Sequence, residues 1–257
     1  MLVKFLCANG KALLDLIMAL GRLGVFAMMA LAKIGTPPFY VRLTLRQFVD
    51  IGYYSLPVVG MTTLFSGMVL ALQSYTGFAR FAAETAIPNV VVLSITRELS
   101  PVLAGLMLAG RIGASMAAEI GTMRVTEQID ALTTLSTNPY QYLINPRLIA
   151  GTLMMPILVL VGDIMGVFGG YLVSVYRLDF VAEQYLIHTL DYVQMQDIVS
   201  GLVKAAVFGF IVSLLGCYHG FYSKGGAQGV GAATTNAVVS SSILILIFNY
   251  IITELFF

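Results

Sequence analysis

Five segments of this chain, 51–75, 88–120, 148–171, 198–218 and 237–257, are apolar almost without interruption. Each is long enough to cross a bilayer core of ~30 Å, for which a helix needs about 20 residues. Inside that core every backbone polar group must find an internal partner, so only helices and closed barrels can span it. Barrel strands alternate apolar and polar residues over segments of about ten, and these runs do not alternate. Of the 257 residues, 58% are hydrophobic and 11% charged, where soluble domains carry roughly 25% charged residues. The expected fold class is an all-α membrane protein, one domain over 1–257 with about five transmembrane helices. Segment 121–146 carries Arg124, Glu127 and Asp130 and belongs outside the lipid.

Residues 1–35 follow a different pattern. Lys11, Asp15 and Arg22 interrupt any apolar core that a signal peptide would need. At 100° per residue, Lys4, Lys11, Asp15, Arg22 and Lys33 fall within an arc of roughly 40°. Leu2, Leu6, Leu13, Leu20 and Leu31 lie opposite. This predicts an amphipathic helix lying in the membrane interface, its basic stripe toward anionic headgroups. Pro37 and Pro38 end it, residues 42–50 form a polar elbow, and residues 222–235 read as a Gly- and Ser/Thr-rich loop carrying Lys224. Ten of the basic residues fall on one side, among them Lys4, Lys33, Arg42, Arg46, Arg124 and Arg147. The positive-inside rule makes that side, with the N-terminus and 121–146, cytoplasmic. The acidic stretch 177–197 and the C-terminus are then external.

Several functions are excluded or unsupported. A net charge of +1 gives no bulk attraction to nucleic acid. No G-x-x-x-x-G-K-[ST], H-E-x-x-H or G-x-S-x-G occurs, so no phosphate loop, zinc site or nucleophile elbow is present. Cys7 and Cys217 lack metal spacing, His188 and His219 stand alone, and no residue is assigned a catalytic or metal-binding role. Asp163 is alone within the third apolar run.

The charges inside the runs carry more information. Arg97 and Glu98 interrupt the second run, and Lys204 lies at a similar depth in the fourth. Intramembrane charges are costly and mark function by default. Glu98 is expected to pair with Lys204, which leaves Arg97 for an anion such as phosphate. The same residues also read as a purely structural ion-pair network. Leu64, Met68, Leu72 and Tyr75, continued by Phe78 and Phe81, make an apolar stripe that suits helix packing or an acyl chain. Gly105, Ala109, Gly113 and Ala117, the parallel row Gly110, Ala114 and Ala118, and Gly162, Gly166 and Gly170 are small-residue rows that let helices approach closely. Thr126 is the expected cap of a short polar helix, 127–135, placed as a lever at the membrane surface.

Five motifs carry a resemblance. They are R-E-L-x-P-V at 97–102, A-G-R-x-G-A at 109–114, A-E-I-G-x-M-R at 118–124, E-Q-I-D-A-L at 127–132 and N-P-R at 145–147. Together they resemble the MlaE permease family, the membrane subunits of MCE-type ABC lipid transporters. The resemblance implies a homodimer in the bacterial inner membrane that moves glycerophospholipid between inner and outer membranes and maintains outer-membrane asymmetry. It implies a cytoplasmic MlaF-like ATPase that binds the ATP, so this chain holds no cofactor. It also implies an MlaB-like STAS-domain protein and a periplasmic MlaD-like MCE hexamer. By resemblance Glu127, Gln128, Asp130 and Leu132 couple to the ATPase. Arg97, Glu98, Lys204, Leu70, Gln73, Gly77, Phe78 and Phe81 line the lipid site, where Gly77 and Phe78 depart from the larger aliphatics of the family. Two rival readings are a stand-alone scramblase or proton-coupled carrier using Asp163, and a structural anchor for an MCE ring.

Overall fold

The apolar runs fold as helices in a computed structural model, which describes residues 2–81 and 83–257 (backbone alone at 2–9, 12, 13, 15, 16, 81 and 84). Among the described residues the helices are α1 (Leu2–Ile34), α2 (Val41–Ile51), α3 (Leu56–Phe78), α4 (Ile87–Val125), α5 (Gln128–Thr134), α6 (Tyr140–Arg177), α7 (Ala182–Tyr192), α8 (Met195–Phe221) and α9 (Gly226–Phe256). No strand occurs among them. Among the described residues six stretches are long and apolar enough to cross a membrane: Ile17–Ile34, Val41–Phe78, α4, α6, α8 and α9. The addition to the expected five is the second half of α1, where residues 23–32 carry no charge. The expected basic stripe falls partly outside the described side chains, at Lys4 and Asp15. On the opposite side, Leu20 and Leu31 are exposed.

Three local expectations are corrected. The elbow at 42–50 is the helix α2. The loop at 222–235 is helical from Gly226 onward, after a turn in which Gly225 and Gly226 take φ of 91° and 66°. Its Ser and Thr content does not break the helix, because hydroxyls satisfy themselves on the preceding turn: Thr234 and Thr235 both donate to the Gly231 carbonyl. Thr126 does not cap α5. It ends α4, donating to the Thr122 carbonyl at 2.8 Å, and Glu127 precedes α5 at a left-handed φ of 60°.

The centre of the bundle is α8, most of which is buried, whereas α9 is largely exposed. Glycines set the spacing around it. A Cβ at Gly209 would overlap the Gly151 carbonyl of α6, and one at Gly67 of α3 would overlap the Gly166 carbonyl. Added Cβ atoms at Gly216 and Gly220 of α8 would lie 2.9 Å from the Gly113 and Ala117 carbonyls of α4. Gly113, Ala117 and Gly166 of the predicted small-residue rows thus offer their carbonyls to glycines of the facing helix, while Gly162 and Gly170 are closed off by the side chains of Ser100 and Val91. The parallel row differs: Gly110 is exposed and open. α1 docks through Phe26, which is fully buried among Tyr140, Tyr218, Phe221 and Tyr222 at ring centroid distances of 5.5–5.9 Å.

Candidate functional site

Pro101 lacks an N–H, so the carbonyl one turn earlier, that of Arg97, loses its helical donor. There α4 widens into a π turn, Ile95–Leu99, a distortion that recurs at functional sites. The freed carbonyl accepts from Lys204 Nζ of α8 at 2.7 Å, and the same ammonium donates to Glu98 Oε1 at 2.7 Å. Lys204 is fully buried, and a charge in that position persists only when paired and hydrogen-bonded. Glu98 also accepts from Asn249 Nδ2 at 2.8 Å and from Thr253 Oγ1 at 3.0 Å, both on α9. The expected pair of Glu98 with Lys204 therefore exists, inside a larger network that joins α4, α8 and α9.

Arg97, expected to stand free for an anion, is instead paired. Its Nε and Nη2 donate to Asp197 Oδ1 at 2.7 and 2.6 Å, and its guanidinium lies 3.9 Å from the centroid of the Phe257 ring. Asp197 caps α8 with its other oxygen, accepting from the Gln194 N–H at 3.0 Å. The two cations and two carboxylates sum to zero, which is what low-polarity surroundings require. Arg97 uses two of its five N–H donors on Asp197. Its side chain is 31% exposed, while that of Asp197 is 1% exposed. Asp197, Asn249 and Thr253 were missed from sequence. Helical spacing carried the signal: Asp197 lies seven residues before Lys204, and Asn249 and Thr253 are four apart.

Leu70 and Phe78 lie elsewhere in the fold. With Met68, Leu72 and Tyr75 they pack on a second apolar cluster of Ala71, Ile87, Val91, Ile95 and Val173. Most of the apolar stripe is thus occupied within the chain. Leu70, Gln73 and Gly77 share one face of α3 at spacing i, i+3, i+7. Gln73 and Gly77 are exposed, and nothing stands within 4 Å of a Cβ at Gly77. The side chain of Phe81 lies outside the described set. The structure joins Arg97, Glu98 and Lys204 in one network and Leu70 with Phe78 in another, with Ile95 and Leu99 on the α4 turn between them.

Asp163 of α6 borders an apolar groove of about 570 Å³ between α4, α6, α7 and α8, which Phe168, Tyr171, Tyr185 and Leu190 also line. It is 9% exposed, and its Oδ1 has no hydrogen-bond partner. Two further motif arginines fasten helices. Arg111 of the A-G-R motif donates to Ser55 Oγ at 2.6 Å, and Arg147 of N-P-R pairs with Glu119 at 2.8 Å.

The polar helix α5 is rooted in the bundle. Ile129 is buried in the main core, and Leu132 packs against that core. Leu132 therefore points inward rather than toward a partner. Glu127 and Gln128 are exposed, as is Asp130, which pairs with Arg124 at 2.7 Å. Leu135, at the end of the helix, is 76% exposed. It is the outward apolar residue that the motif reading did not select.

Residues 44–255 match the family model described as Permease MlaE. The chain belongs to the MlaE permease family. This MlaE-family chain is 61% identical over its full length to a probable ABC transporter permease protein of Rickettsia bellii, covering 99% of it. It is 35% identical, again over its full length and 99% of the relative, to the intermembrane phospholipid transport system permease protein MlaE of Haemophilus influenzae. Over 84% of its length it is 39% identical to the chloroplastic protein TRIGALACTOSYLDIACYLGLYCEROL 1 of Arabidopsis thaliana, of which it covers 62%. Membership and the six apolar helices together make it a multi-pass membrane permease.

Proposed function

We propose that this MlaE-family permease moves glycerophospholipid as the membrane subunit of an ABC transporter, with all ATP chemistry in a partner ATPase. One observation carries this reading. The helix α5 is fixed to the core through Ile129 and presents Glu127, Gln128 and Leu135 outward. A short helix so rooted transmits a push to the spans instead of absorbing it. The name of the Haemophilus relative supports phospholipid as cargo.

In this account two copies meet along the exposed apolar faces of α3 and α9, with Met61, Phe65 and Val69 on the first and Ile243, Leu246 and Tyr250 on the second. Between them lipid tails lie against Leu70, Gln73, Gly77 and Phe78. The phosphate takes the donors of Arg97 that Asp197 leaves open. Because Glu98, Lys204 and Asp197 neutralise one another with Arg97, a bound phosphate perturbs a balanced set and is easily released. The cytoplasmic side carries α5, the MlaF-like ATPase and the MlaB-like STAS protein. The periplasmic side carries the MlaD-like MCE hexamer and the C-terminus. The setting is the bacterial inner membrane, and the role is to maintain outer-membrane asymmetry.

Asp163, whose buried Oδ1 has no hydrogen-bond partner, motivates a second reading, a proton-coupled carrier. The two part on Asp163→Asn, assayed as lipid transfer from proteoliposomes containing the partner ATPase. The permease reading expects ATP-driven transfer within about twofold of the unaltered chain, since the change amounts to less than ~0.5 kcal/mol in the barrier. Loss of transfer with undiminished ATP hydrolysis supports the carrier.

A further inference from the structure

Where α8 ends and α9 begins, Arg22 of α1 and Lys224 of the connecting turn line one cavity of about 560 Å³ with Tyr218, Tyr222, Ser223 and Gly229. No carboxylate is among the described residues that line it. Two like charges facing one space repel unless an anion joins them. Gly229 and Ala233 of α9 line the same cavity, which sets the positive end of a 31-residue helix dipole near the two cations. Gly225 and Gly226, both at positive φ, let the chain turn into the helix directly after Lys224.

A second recess adjoins this cup. Arg22 and Tyr222 also border a space of about 350 Å³ walled by Met18, Gly21 and Val25. Met18 and Val25 are 54% and 52% exposed. A cationic cup continuous with an apolar channel along α1 matches an anionic amphiphile, phosphate in the cup and hydrocarbon along the helix. Basic pockets between membrane helices bind anionic headgroups in this way. A soluble phosphate makes no use of the channel.

We propose that the junction of α1, α8 and α9 is a binding site for the phosphate headgroup of an anionic membrane lipid, separate from the Arg97 network. Lys204 and Tyr218 are fourteen residues apart on α8, about 21 Å along the axis, so the two sites occupy opposite ends of that helix. Occupancy has two consequences. It fastens α1 one turn before its anchor at Phe26. It also braces the wall formed by Ser223, whose hydroxyl donates to the Gly121 carbonyl at 3.3 Å, five residues before α4 gives way to the turn into α5. The lipid therefore sits at the root of the polar lever, and the inference holds whichever molecule the permease transports.

The test uses the full chain in detergent, melted by circular dichroism with added dioleoyl phosphatidylglycerol, dioleoyl phosphatidylcholine or inorganic phosphate. Phosphatidylglycerol is expected to raise the melting temperature above that in phosphatidylcholine. Arg22→Gln with Lys224→Gln is expected to weaken that dependence on the order of tenfold in apparent affinity, with melting in phosphatidylcholine unchanged. Lys224→Gln alone, in an exposed turn, gives an intermediate loss and guards against misfolding of the double variant. An undiminished phosphatidylglycerol effect in both variants overturns the site. Equal stabilisation by inorganic phosphate overturns the assignment to lipid.

Discussion

Lys204→Met is expected to destabilise the bundle strongly. Removing one partner of a buried ion pair costs about 3–5 kcal/mol, because the other charge is stranded. Here the stranded group is Glu98, whose side chain is 38% exposed and keeps Asn249 and Thr253 as donors. Those contacts bring the expected cost to the lower end, about 3 kcal/mol. The Arg97 carbonyl, deprived by Pro101 of its usual helical donor, loses the Lys204 ammonium as well. At about 2–4 °C per kcal/mol for a chain of this size, melting in detergent falls by roughly 6–12 °C. Circular dichroism is the suitable probe, since the chain has no Trp. Adding Glu98→Gln should recover most of the loss, because an apolar or neutral replacement of a whole buried pair is close to neutral. Equal melting of the single and double variants would show that Glu98 is solvated and that the network is not an electrostatic unit.

Leu135→Asp with Glu127→Lys is expected to abolish coupling while leaving the fold intact. Both side chains are exposed, so the bundle loses no packing. In a docked complex Leu135 would enter an ATPase groove, and an unpaired carboxylate there costs about 3 kcal/mol, on the order of a hundredfold in docking. Lipid-stimulated ATP hydrolysis by the reconstituted complex should drop to the basal rate, with the melting temperature of the permease unchanged. The pair Arg124–Asp130 is a surface contact at 38% and 61% side-chain exposure, worth well under about 1 kcal/mol. Asp130→Asn alone should therefore have little effect.

The fold class was legible because an apolar run of bilayer length has few other solutions. Glu98 and Lys204 were legible because opposite charges at equal depth must find each other. Asp197 was not, since it stands beside the acidic external stretch and reads as solvated. Only its spacing to Lys204 places it on the inward face of α8. The π turn at 95–99 was hidden for a related reason. Pro101 announces a lost hydrogen bond, but not that Lys204 supplies the replacement. Residues 226–235 were misread as loop because composition says nothing about hydroxyls that bond back along their own helix. The inward turn of Leu132 and the exposure of Leu135 depend on where α4 stops. A Thr at 126 suggested a cap, whereas the chain makes a left-handed turn at Glu127.

Under the proposed function this chain supplies an apolar, charge-balanced path and its partner ATPase supplies the energy. The most direct measurement is transfer of a labelled phospholipid from vesicles containing the chain alone, the chain with its ATPase, and the ATPase complex carrying the Leu135→Asp, Glu127→Lys variant. Transfer is expected only in the second case, and only with ATP. Equal transfer by the chain alone, without nucleotide, would contradict it.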